Sequence, residues 1–352
     1  MKLFLRFFAG MFLIYTGCSL KPQPEPLPLS VQANLNLLQE NPQFVMYLNF
    51  KAMRRTEFWK KNISDTLLNA EKTFGSLLNT FKLATGTSVS EGLDELYYSN
   101  SWFGENAIIL KGIFDRNKLN DFLKNDTVFS ITKNADGTDI YIKNDNGLYF
   151  FFKDDFTICA SNYLKQIDVM LVTKDTSVSG LMMNQKVYDA IQDITYKEDL
   201  WMLSTERIFI RGIFQNFIET TSDIKLPDND SANLPTEEIT DSILSAEKLT
   251  INNLYKRLNV ISFSGKMSSD LKILIQGECI SEESAKYLRS LLNGLITVAK
   301  LSSAGKEKSS SVKLFDKLKL DRYDNSVFIE LIVDESNLQE LKKTNLMSEP
   351  KK

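Results

Sequence analysis

Tyr98-Ser99-Asn100-Ser101-Trp102-Phe103-Gly104-Glu105-Asn106-Ala107-Ile108-Ile109-Leu110-Lys111-Gly112 and Phe263-Ser264-Gly265-Lys266-Met267-Ser268-Ser269-Asp270-Leu271-Lys272-Ile273-Leu274-Ile275-Gln276-Gly277 follow one pattern, 165 residues apart. Each is an apolar-alternating run, a polar turn, a second apolar run and a closing glycine, which predicts a β-hairpin. Ser99 falls over Ser264, Ile109-Leu110 over Leu274-Ile275, and Gly112 over Gly277. The register continues without a gap into Phe122-Leu123 over Tyr287-Leu288, so the chain is expected to carry one unit twice.

Working outward, the elements around the two hairpins also correspond. Asp115 followed by Leu119, Phe122 and Leu123 predicts a capped amphipathic helix. Its counterpart opens at Ser281-Glu282-Glu283 and carries Ala285, Leu288, Leu291, Leu292, Leu295, Ile296 and Ala299 as a core-facing stripe. A strand precedes each hairpin, at Phe44 to Phe50 and Leu200 to Ser204, and each leads into an apolar-periodic helix, around 58–82 and 206–219. Downstream, Thr138–Lys143 turns through Asn144-Asp145-Asn146-Gly147 into Leu148–Phe152, where Asn-Gly is a strong hairpin signal. Phe156–Ala160 adds a strand, and Ser161 is placed to cap a helix over 162–172. In the second half, Val312–Leu320 turns at Tyr323-Asp324-Asn325-Ser326 into Val327–Val333, and a helix over 335–343 closes the unit.

Each unit thus reads strand-helix-hairpin-helix-hairpin-helix, and hairpins imply antiparallel pairing. The predicted class is α+β, with one repeat over 31–196, the second over 197–345 and a polar tail over 346–352. Whether the two sheets join edge to edge is left open by the pattern. Tyr149-Phe150-Phe151-Phe152 is apolar on both faces, which predicts a strand central in its sheet.

The amino terminus has a different grammar. Lys2 and Arg6 precede an unbroken apolar or small stretch from Phe7 to Ile14, followed by Tyr15-Thr16-Gly17-Cys18. Eight residues extend about 12 Å as a helix, too short for a ~30 Å hydrocarbon core, so the design is that of a signal peptide. A small residue directly before a cysteine resembles the lipobox of bacterial lipoproteins, with Tyr15 standing where that family usually has an aliphatic residue. The resemblance implies removal of residues 1–17, acylation of Cys18, and attachment to an envelope membrane. Ser19 resembles the residue preferred for outer-membrane sorting in some diderm lipoproteins, facing either the periplasm or the cell surface. Residues 18–30 then form a tether, because Pro22, Pro24, Pro26 and Pro28 in alternate positions enforce polyproline II at ~3.1 Å per residue. Together, this leader and the tandem α+β units resemble, loosely, uncharacterised bacterial envelope lipoproteins.

Composition narrows the functional classes. The chain has 352 residues, 43% hydrophobic and 25% charged, which is a globular balance, and a net charge of −3, which offers no basic field for nucleic acid. Histidine is absent, which removes Ser-His-Asp and Cys-His nucleophile systems and His-ligated metals. The body's cysteines, Cys159 and Cys279, could pair in an oxidising space, but each sits in an apolar strand-like run, which favours buried free thiols. Asp228, Asn229 and Asp230 lack the glycine and distal glutamate of a calcium loop, while Asn134-Ala135-Asp136-Gly137 and Asn144–Gly147 are explained by hairpin turns. No metal and no cofactor is expected. Adjacent carboxylates such as Asp154-Asp155 and Glu237-Glu238 read as surface charge, and there is no phosphate-cradling glycine motif.

Aromatic crowding in the first hairpin stands out. Trp102 and Phe103 fall at its turn beside Gly104, where large apolar groups serve as candidate partner contacts. The expected protein is a membrane-tethered, non-enzymatic envelope module that binds another protein. A carrier for a lipid or other hydrophobic ligand is the second reading, and a carboxylate- or Ser/Lys-based hydrolase the third.

Overall fold

The computed structural model describes residues 27–73, 77–145, 147–174, 177–194, 198–212, 254–302 and 317–338. Within them the protein is α+β, as expected. Its strands are β1 (Phe44–Asn49), β2 (Leu93–Asn100), β3 (Asn106–Gly112), β4 (Phe129–Lys133), β5 (Asp139–Lys143), β6 (Leu148–Asp154), β7 (Thr157–Ser161), β8 (Leu200–Ser204), β9 (Leu258–Met267), β10 (Leu271–Cys279), β11 (Lys319–Tyr323) and β12 (Ser326–Val333). All twelve form one sheet, in the order β11-β12-β10-β9-β8-β1-β2-β3-β7-β6-β5-β4.

The two halves join edge to edge at β1 and β8, which pair antiparallel with Tyr47 opposite Trp201 and Met46 opposite Met202. Outward from that seam, β1-β2-β3-β7-β6 on one side mirrors β8-β9-β10-β12-β11 on the other. The hairpin β4–β5 has no counterpart among the described residues of the second half. Strand β4 was not expected, because four of its five residues are exposed and its apolar alternation is correspondingly weak. The counterpart of β11–β12 is therefore β6–β7, not the predicted hairpin 138–152. Strand β6 is third from its edge rather than central, with only Phe151 fully buried.

Register refines the repeat. In β2 the bulge at Asp94, between Leu93 and Glu95, recurs in β9 at Asn259, between Leu258 and Val260, so these strands correspond at a shift of 165. Asn100 faces Asn106, but the matching Gly265 faces Ile273, because the second hairpin is two residues longer. The gapless match therefore fails in the second strand of the hairpin, where Gly112 corresponds to Cys279 and not to Gly277. Gly112 itself packs against the bulged strand, where a Cβ would meet Gly92 O at 2.5 Å.

Helices cover both faces. On one face lie α1 (Leu29–Leu35), α7 (Leu164–Val172) and α8 (Gln185–Asp193), enclosing Tyr47, Tyr97, Ile109, Trp201 and Leu203. Leu27 is buried in the same cluster and α1 opens at Leu29, so residues 27–30 belong to the folded body and not to the tether expected over 18–30. The other face carries α2 (Phe50–Arg54), α3 (Glu57–Asn62), α4 (Ser64–Lys72) and α5 (Leu77–Thr85) over one cluster and α9 (Glu282–Ser302) over another. The helix expected over 58–82 is thus broken into three, starting from a Thr56 cap whose Oγ1 accepts from Trp59 N. Between the strands, α6 (Arg116–Lys124) is capped by Asp115, as predicted. The helix expected at 162 starts two residues later, since Ser161 stays in β7 and its hydroxyl donates to Asn106 O. The second-half helices expected over 206–219 and 335–343 are helical at 207–212 and 335–338, and their remainders lie outside the described residues. Residues 312–316 of the predicted strand also lie outside them.

Cys159 and Cys279 are both free and buried. They sit on β7 and β10, six strand spacings apart, roughly 29 Å at ~4.8 Å each, far beyond disulfide reach. Burial pushes both thiols up to about 12. Native protein at pH 8 should therefore leave the Cys159 and Cys279 peptides unmodified by iodoacetamide, with labelling appearing only in denaturant. Rapid native labelling would contradict this placement.

Candidate functional site

The turn 101–105 is held firmly. Ser101 N donates to Glu105 O at 2.8 Å and Gly104 N to Ser101 O at 3.1 Å, with Gly104 at φ +75°, a conformation glycine adopts without steric cost. Asn162, just beyond β7, latches the turn from outside: its Oδ1 accepts from Asn106 N at 2.6 Å and its Nδ2 donates to Gly104 O at 2.8 Å. A turn fixed by its own backbone and by a neighbouring strand end presents its side chains without an ordering cost on binding.

What it presents is apolar. Phe103 is 90% exposed and Trp102 43%. The indole leans toward the second half, where Nε1 donates to Glu206 Oε2 at 3.4 Å. Glu206 N in turn donates to Ser204 Oγ, and that hydroxyl donates to Gln43 O, while Gln43 N donates to Asn100 O. The entry to β1, the exit of β8 and the first hairpin tip thus meet at one end of the seam. Exposed Tyr163 and Leu164 follow Asn162, and exposed Ile208 follows Glu206, so the apolar tip has neighbours from both halves. Behind it, Lys186 donates to Thr205 O at 3.0 Å; burial pulls its ammonium below the ordinary lysine value, and the Glu206 carboxylate pushes it back up.

The second hairpin offers no equivalent. Because β1 and β8 run antiparallel, its turn lies at the opposite end of the sheet, and Ser268 O accepts from Phe58 N of α3 at 2.9 Å. Met267 is buried, and Lys266 pairs with the buried Asp199 at 2.8 Å. The internal duplication therefore yields one apolar tip.

The remaining sequence candidates fall as follows. Gly137 and Gly147 adopt φ of +81° and +65°, so both Asn-rich stretches are turns, and Asn134 Oδ1 accepts from Asp136 N and Thr138 N. Asp154 accepts from Phe156 N, and Asp155 pairs with Arg116 at 3.0 Å. Cys18, Asp228, Asn229, Asp230, Glu237 and Glu238 lie outside the described residues. Among the described residues no three Cys, Asp or Glu converge to hold a metal ion, and no helix is long and apolar enough to cross a membrane. Tyr163, Leu164, Glu206 and Ile208 were not anticipated, since nothing local distinguishes them from core residues of their elements.

No protein-family model matches the chain, and no curated protein matches it. Among solved structures it is similar to TP0453 in crystal forms III, I and IV, with TM-scores of 0.45, 0.45 and 0.44 and identities of 8%, 9% and 9%. Those matches cover 88%, 92% and 93% of this chain and 97%, 98% and 98% of TP0453.

Proposed function

We propose that this is a lipid-anchored envelope protein that acts without catalysis, binding another envelope protein through the tip formed by Trp102 and Phe103. The lipobox-like Thr16-Gly17-Cys18 and the alternating prolines behind it support the tether. The single observation that carries the binding role is Phe103, fully presented on a turn that the backbone and Asn162 immobilise. A rigid aromatic at a tip, flanked by further apolar groups and rimmed by Glu206 and Asn162, has the makeup of an interface anchor.

The variant Phe103→Ser, alone and with Trp102→Ala, tests this. Stability should change by no more than about 0.5 kcal/mol for Phe103→Ser, as at surface positions generally. Partner recovery from cross-linked membranes should fall at least about tenfold, as for loss of an interface anchor. Unchanged recovery with both residues replaced would refute the assignment. A large loss of stability from Phe103→Ser would instead make the residue structural.

A further inference from the structure

A second apolar feature adjoins the hydrogen-bonded network behind the tip, sharing Ser204 with it, but is lined by neither Trp102 nor Phe103. Met202 on β8 stands opposite Phe263 on β9, and Phe263 opposite Ile275 on β10. Directly paired residues project from the same face of a sheet, so these three side chains form a row across neighbouring strands. Met46 continues the row on β1 and Ile329 on β12. It lies on the face opposite Trp201 and Leu203, between the cluster under α2–α5 and the one under α9.

Above the row sits Phe209, from the helical residues 207–212, with its ring 5.3 Å from that of Phe44. Phe209, Met202, Ile261, Phe263 and Ile275 enclose a cavity of about 190 Å³. Each of these five is half-buried rather than sealed, so the cavity is reachable from outside.

Size and lining together define what fits. An apolar cavity of about 150 Å³ stays dry and accepts a benzene-sized hydrocarbon, whereas sites for whole drug-sized molecules begin near roughly 300 Å³. The walls are mainly aliphatic, aromatic and thioether. Of the two serines that also border the space, Ser262 and Ser204, the latter has its hydroxyl engaged with Gln43 O. A polar group placed among the apolar walls without a partner would cost about 1–3 kcal/mol. Methionine adds a polarizable, adaptable wall suited to a flexible chain. The row crosses three strands, roughly 10 Å at ~4.8 Å per step, which gives the space a direction. We propose that this cavity holds the end of a single hydrocarbon chain, laid across β8–β10 beneath Phe209, with any polar headgroup left outside.

Photo-labelling of the full-length protein tests it, using a 16-carbon fatty acid carrying a terminal diazirine. A second arm uses phosphatidylcholine vesicles whose lipid carries the same label on one chain. Adducts should map to Met202, Phe263 or Ile275, and labelling there should fall at least tenfold in Ile275→Trp, which fills the space. Met202→Trp repeats the test by filling it from another strand, so that misfolding of either variant is recognised. Phe103→Ser should leave the labelling unchanged. Adducts from the free acid alone would make the occupant a free fatty acid, and adducts from the vesicles would make it a membrane lipid's chain; either supports the assignment. Label scattered over the surface, or cavity adducts undiminished in both Trp variants while they remain folded, would overturn it.

Discussion

Replacing Trp201 by alanine is expected to remove about 3–5 kcal/mol of stability, the usual cost of deleting a fully buried large aromatic. Trp201 is 1% exposed and lies at the seam, with its ring centroid 5.6 Å from Tyr47 on the facing strand. Tyr47 in turn packs against Tyr97, the rings tilted with centroids 4.8 Å apart, so three aromatic side chains on β8, β1 and β2 carry the packing across the join. On its other side Trp201 faces Ser264, and that small neighbour leaves room for the indole. Alanine would open a cavity bounded by Tyr47 that the surrounding strands cannot collapse to fill. Denaturant titration of the variant should show the lost stability together with a shallower or two-step transition, as the halves uncouple. A loss below about 1 kcal/mol with an unchanged slope would mean that the halves are held together by something other than this packing.

The second large effect concerns the anchor. Cys18→Ala should abolish incorporation of labelled fatty acid, and any protein cleaved at another position, and so freed of its apolar leader, should move from the membrane fraction to the soluble fraction. Stable attachment needs two acyl chains or a chain plus a basic patch, since one myristoyl-length chain binds only marginally. With a net charge of −3 the protein has no basic surplus to hold it once the chains are gone. Wash-resistant membrane association of Cys18→Ala protein that has lost its signal peptide would refute lipid anchoring at this position.

The elements of the body follow closely from local pattern, and the exceptions have physical causes. Strand β8 was read to the residue and β1 to within one, Phe50 opening α2 instead of closing the strand, because each is a short apolar run, and the cap at Asp115 is a local signal that nothing distant overrides. The duplication was visible at β2 and β9, but the longer second hairpin hid the change of register, because Ile109-Leu110 and Leu274-Ile275 look alike whichever residue faces inward. Strand β4 escaped notice because an exposed edge strand needs no apolar face. At the tip, the local sequence marked Trp102 and Phe103 correctly as a turn, whereas Glu206 and Asn162 reach it only through long-range pairing. The cavity under Phe209 had no sequence signature, since Met202, Phe263 and Ile275 belong to separate strands and each resembles a core residue of its own.

Native mass spectrometry of the full-length protein, extracted gently from its own membranes, tests the central claim most directly. The expected species is a chain beginning at an acylated Cys18, carrying a second polypeptide that is lost when Trp102 and Phe103 are replaced. A chain that retains residues 1–17, carries no acyl groups and has no partner would contradict it.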